Sequence, residues 1–223
     1  MGTYKFEMSE EDLNVLGKEE QWREKKPIDV VVCLDSSGSM EATDFSPNRF
    51  EAAKKAAMAF TTRKIMENYN DHVGLVTFGG FPKVHLHMTG DLDEVANAIR
   101  KFGKHTITHH STAIGSVIQE AVKILEKEGR KGTVKAIILL SDGDNYAGVD
   151  PMSMVSKLKN MPVYTIGLGT SKGISMDIPG VGNVVVRLNE DLLKRIAKQS
   201  GGKYYHAPEV AQLIGIFEGL ADL

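Results

Sequence analysis

The chain holds one cysteine among its 223 residues, so no internal disulfide can form. Cys33 sits inside an apolar run, where a lone thiol acts as a small core residue. No apolar stretch approaches the roughly 18 residues of a membrane-crossing helix, and no hydrophobic leader is visible. The chain as given is therefore expected to carry no membrane segment. That favours a cytoplasmic location, or an extracytoplasmic one if the chain is a fragment of a membrane-anchored protein. A basic stripe is missing too: 27 Lys and Arg stand against 29 Asp and Glu, a net charge of −2. The densest basic cluster, Arg23 to Lys26, contains a glutamate. This balance speaks against a nucleic-acid partner. There is no internal repeat, low-complexity tract or linker, which leaves one large α/β domain, and 42% hydrophobic residues suffice for its core.

What is present is an alternation of apolar runs and amphipathic segments. Residues 1–26 are charged and read as an N-terminal arm or a short helix with Leu13, Leu16 and Trp22 on one side. The domain is expected over 27–223. Strands are expected at 28–34, 72–78, 83–88, 134–140, 163–168 and 203–205, with a hairpin inside 170–188. Helices are expected from Pro47 to about Asn68 and over 91–102, 112–128, 151–159, 190–199 and 209–220. Thr89 or Asp91 caps the second of these. Alternating strands and helices imply a three-layer α/β/α sandwich, Rossmann-like, with a mostly parallel central sheet and one antiparallel edge strand at 83–88.

Two of the strands are apolar at successive positions, and both end in an aspartate. Val30 to Leu34 runs into Asp35-Ser36-Ser37-Gly38-Ser39, and Val134 to Leu140 runs into Ser141-Asp142-Gly143. Strands covered on both faces are central ones, and their carboxyl ends open into the crevice where such sheets bind ligands. If the two are neighbours, Asp35 and Asp142 lie side by side and repel unless a cation or a proton intervenes. Asp35, Ser37 and Ser39 offer hard oxygen and no sulfur or imidazole, which suits Mg2+. Neutral hydroxyls among the donors leave the ion some positive charge for an outside anion.

Asp35-x-Ser37-x-Ser39 resembles the metal-ion-dependent adhesion site (MIDAS) signature of von Willebrand factor A domains. Ser111-Thr112-Ala113-Ile114-Gly115 resembles the family's threonine loop, and Ser141-Asp142-Gly143 its last element, in the same order and at similar separations. The runs 44–49, 74–78 and 203–205 are similar to the prokaryotic Bat-type, aerotolerance-related branch. The resemblance covers roughly 28–222. It implies Asp35, Ser37, Ser39, Thr112 and Asp142 as ligands of Mg2+, or of Mn2+ or Ca2+ in its place. A partner protein would present a Glu or Asp to the ion, across a rim of His109, His110 and Asp144, and no enzymatic activity is implied. The last helix shifts in the family when the site changes state. Two features depart from the pattern: Thr108-His109-His110-Ser111 replaces a glycine-rich loop, and the membrane helices usual in Bat-type proteins are missing.

Other signals point to weaker readings. His85 and His87 are expected on the same face of their strand, and His105, His109 and His110 crowd one loop, but zinc needs three or four converging ligands. Gly169-Thr170-Ser171-Lys172-Gly173 satisfies the nucleophile-elbow pattern, yet the glycines and proline after it forbid the helix an elbow requires. A magnesium-dependent phosphohydrolase or phosphotransferase is the enzyme alternative. It lacks a second carboxylate two positions after Asp35. A structural subunit with a vestigial site is the third reading.

Overall fold

In the computed structural model, which describes residues 26–67, 70–107, 111–170, 172–178 and 182–223, the central strand is β1 (Ile28–Asp35), buried at every position. It pairs in parallel with β2 (His72–Phe78) on one side and β4 (Val134–Ser141) on the other. The sheet order is β3-β2-β1-β4-β5-β8, with β3 (Pro82–Thr89), β5 (Val163–Leu168) and β8 (Tyr204–Ala207). Only β3, at one edge, runs antiparallel. The order turns back between β1 and β4, so a crevice forms at their carboxyl ends.

The unalternating apolar runs have a direct cause. Val30, Val32 and Leu34 enter one core with Ala136, Ile138 and Leu140, while Val31 and Cys33 enter a second with Ile137 and Leu139. The first core is closed by α1 (Arg49–Met66), α2 (Leu92–Arg100) and α6 (Val210–Leu220). The second is closed by α3 (Ile114–Glu128), α4 (Pro151–Val155) and α5 (Glu190–Ser200). These are the three layers expected. A separate two-stranded hairpin, β6 (Ile174–Ile178) and β7 (Gly182–Val186), follows β5. A strand rather than a helix thus comes after Gly169 to Gly173, and the elbow reading falls.

Most helix starts follow the sequence. Asn48, Asp91 and Asp150 accept from Glu51 N, Glu94 N and Ser153 N at 2.8, 3.1 and 2.7 Å. Two expectations need correction. Helix α4 ends at Val155, not Lys159: the chain tightens into turns, and Asn160 takes a left-handed φ of 54° ahead of Pro162. His85 and His87 do not share a face. The pairing of β2 with β3 shifts register between Val73 and Leu75 and again between Leu75 and Val76. An extra residue at each irregularity breaks the two-residue period. His85 lies against Phe102, with ring centroids 4.7 Å apart, and its Nε2 meets Thr77 Oγ1 at 2.7 Å. His87 meets Glu128 of α3, in the opposite layer, at 2.7 Å. The N-terminal arm, with Leu13, Leu16 and Trp22, lies outside the described residues.

Candidate metal site

Parallel pairing of β1 with β4 sets their ends side by side at the sheet's carboxyl edge. Ser141 Oγ donates to Asp35 Oδ2 at 2.6 Å, and Ser37 N donates to Asp35 Oδ1 at 2.8 Å. Both oxygens of this fully buried carboxylate are engaged. The chain then makes a single 3-10 turn, Gly38–Glu41, which brings Ser37 Oγ to 3.0 Å from Ser39 Oγ. Two hydroxyls and one carboxylate therefore gather within five residues.

Asp142 begins the loop after β4 and is 1% exposed. Its Oδ2 accepts from Arg49 Nη1 at 3.3 Å. Its Oδ1 is buried with no hydrogen-bond partner among the described residues. Leaving a buried acceptor unpaired costs about 1–3 kcal/mol, and more for a charge, so this oxygen calls for a donor or a cation. Burial, ahead of the Asp142 charge, pushes Asp35 up to about 7, against hydrogen bonds from Ser141 and Ser37 that favour its ionised form. Asp142 is raised as well, by burial first, while the Ser39 hydroxyl and the Arg49 guanidinium oppose the shift. Two carboxyls that both resist ionisation side by side would be relieved by a shared cation. The donor set is all oxygen, which fits Mg2+.

Thr112 is buried in the loop before α3. The N-cap residue, Ala113, makes no side-chain cap; Asn145 Oδ1 accepts from Ile114 N at 2.8 Å instead. Thr112 O accepts from Tyr146 N and Ala147 N at 2.9 and 3.2 Å. These bonds tie the threonine loop to the loop that carries Asp142. Gly115 completes the join: a Cβ there would lie 1.9 Å from Val149 O, so only glycine permits the approach. Of the rim, Asp144 is half-buried and its Oδ2 accepts from the Tyr146 hydroxyl at 3.0 Å. His109 and His110 lie outside the described residues.

The five expected ligands fall on three segments at one end of the sheet, two of them directly bonded to each other and the third tied to the second by the 112–147 loop contacts. Among the described residues no group of three or more His, Cys, Asp and Glu is placed to hold a metal. A two-carboxylate, three-hydroxyl set is a different kind of site from such a group. Sequence reasoning missed Arg49, Asp44, Ser141 and Asn145 as parts of the site. Ser141 stands in the motif itself, whereas the one signal for Arg49 is a charge one residue from Phe50 on the helix's apolar side.

A family model described as "von Willebrand factor type A domain" matches residues 30–145. A UPF0353 protein of Nocardia farcinica is 32% identical over 213 residues, covering 86% of this chain and 62% of that protein. One of Mycolicibacterium paratuberculosis is 31% identical, covering 82% and 57%. The chain thus spans about three fifths of the length of these curated relatives. Among solved structures, BatB of Bacteroides thetaiotaomicron superposes with a TM-score of 0.75 at 26% identity, covering 87% of this chain and 97% of that one. An aerotolerance-related membrane protein of Bacteroides fragilis gives 0.74 at 25% identity, covering 87% and 98%. In the present chain, no helix among the described residues is long and apolar enough to cross a membrane.

Proposed function

The chain belongs to the von Willebrand factor type A family, and from that premise we propose that it is a protein-binding module working through a divalent cation. Asp35 and Asp142 would offer carboxylate oxygens, and Ser37, Ser39 and Thr112 hydroxyl oxygens. Mg2+ suits this set, with Mn2+ or Ca2+ as substitutes, and its role when bound is to accept a carboxylate oxygen from a partner's Glu or Asp. The observation that carries the reading is Asp142 Oδ1, buried and without a hydrogen-bond partner among the described residues, beside a second buried carboxylate. Around it the surface suits a protein partner. Tyr146 is 74% exposed beside Asp144, and Phe81, 61% exposed, sits in the turn leaving the carboxyl end of β2. Exposed aromatics of this kind anchor interfaces.

The enzyme alternative is less well supported, because the position two after Asp35 is Ser37 and offers no second carboxylate to act as acid or base. Turnover of a generic phosphate ester with Mg2+ would revive it. The direct test is a pull-down with Mg2+ and again with EDTA, using parent and Asp35→Ala. Metal-dependent capture by the parent and none by the variant is expected. Equal capture by both defeats the mechanism.

A further inference from the structure

We infer that the cleft between β3 and α2 binds a small zwitterion whose opposite charges stand about 10 Å apart, the size of a tripeptide with free ends. The cleft shares no residue with the candidate metal site, and the inference does not rest on the metal-binding reading. Its volume is about 660 Å3, within the range of small-molecule pockets. The two irregularities of β3 shape its wall. Val84 packs towards the second core, His85 and Leu86 both turn to the first, and His87 and Met88 both turn back. A regular strand would send His85 and Leu86 to opposite faces. The bulge instead brings these two neighbours to one wall, a device found beside binding sites.

The charges along the cleft are sorted by sign. β3 starts beside the carboxyl end of β2, where Lys83 pairs with Thr77, and finishes beside its amino end, where Thr89 pairs with Val73. The chain then turns at Gly90, and α2 runs back. Asp91, Asp93 and Glu94 therefore stand at one end of the cleft, and Lys83, Lys101 and His105 at the other. Lys83 and His105 both bear electrostatically on His85, which places them together. Among the described residues none of Lys83, Lys101, Asp93 and Glu94 enters an ion pair. Glu94 opens the helix and Lys101 ends it, about 10 Å apart at the helical rise. An extended tripeptide covers the same length. Between the two ends lie Leu86, Ala98 and Phe102, which suit an apolar middle residue. A simple anion or cation would satisfy one end only. A zwitterion serves both, with its ammonium towards Glu94 and its carboxylate towards Lys101.

The test is an NMR titration of the isotope-labelled whole chain with the peptide Ala-Val-Ala, in EDTA so that no cation takes part. Saturable shifts of the Leu86 and Ala98 amides, with a millimolar Kd, are expected. Converting the peptide's carboxylate to an amide should weaken binding about two- to fivefold, and acetylating its amine should do the same, since each removes one exposed charge contact. In Lys101→Glu the amide should no longer bind more weakly than the free peptide, and in Glu94→Lys the acetylated form should lose its disadvantage. Both side chains are exposed, so the substitutions leave the fold in place. The absence of saturable shifts in the cleft up to about 20 mM peptide overturns the inference. So does equal affinity for a peptide blocked at both ends, or a penalty for blocking that survives unchanged in the two variants. None of these results bears on metal binding, which the pull-down with Mg2+ and EDTA tests separately.

Discussion

Replacing Lys64 by methionine tests how the end of the sheet opposite the site is held. Lys64 lies in the last turn of α1, fully buried. Its Nζ donates to Asp71 Oδ2 at 2.5 Å and to Ala221 O at 3.1 Å, and lies 5.1 Å from the Phe60 ring centre. Asp71 Oδ1 accepts from Ile28 N at 2.7 Å. One ion pair thus joins the end of α1, the approach to β2, the first residue of β1 and the end of α6. Methionine keeps much of the apolar stem and removes the charge, which strands a carboxylate that is 3% exposed. Breaking a buried pair from one side costs about 3–5 kcal/mol. That is a large part of the roughly 5–15 kcal/mol that holds a domain together. At about 2–4 °C per kcal/mol for a chain of this length, the melting temperature should fall by roughly 6–20 °C. Urea titration and calorimetric melting at pH 7 in EDTA read the loss without interference from cations. Adding Asp71→Asn should recover at least half of it, since the amide oxygen still accepts from Ile28 N. A loss below about 1 kcal/mol, or no recovery in the double variant, refutes the reasoning.

Gly115→Ala sets a methyl 1.9 Å from Val149 O, where backbone meets backbone. It should cost about 1–3 kcal/mol in urea melts and weaken Mg2+ binding through the Thr112 loop; unchanged melts would contradict the close approach. His85 is held down to about 4, by burial first and then by the charges of Lys83 and His105. Its native pKa lies below the unfolded value of about 6.5, so its contribution is complete above pH 6.5 and is lost as pH falls towards 4. The ring is only half-buried, so solvent screening keeps the effect under about 1 kcal/mol. The urea midpoint should drop less between pH 7 and 4.5 in His85→Gln than in the parent, and equal drops would remove the assignment. Mg2+ at about 100 times its Kd should stabilise the parent by about 2.7 kcal/mol. EDTA should reverse that gain and Asp142→Asn should abolish it; a melting temperature indifferent to Mg2+ would count against the site.

The apolar runs at 30–34 and 134–140 were legible because a strand buried on both faces has no polar period to obscure it. Their terminal aspartates, and the threonine loop far along the chain, were legible as motif elements in order. The boundaries of short elements were not: α4 stops at Val155, where tighter turns through Leu158 take over, not where its apolar spacing ends. The two histidines of β3 were misplaced for a similar reason. A bulge is a property of the pairing with β2, and the two-residue alternation of one strand carries no sign of it.

The amino-acid order alone determined the α/β class, the central strands and the oxygen-bearing residues at their ends, 35, 37, 39 and 142, because local periodicity and side-chain chemistry are written residue by residue; Thr112 followed only from the resemblance. Only the tertiary structure decided which oxygens of those residues remain open. Arg49 covers one edge of Asp142 from 93 positions away, Ser141 takes an oxygen of Asp35 across 106, and Asn145 caps the helix after Thr112. Such contacts depend on which strand ends lie side by side, and chain order alone does not specify that.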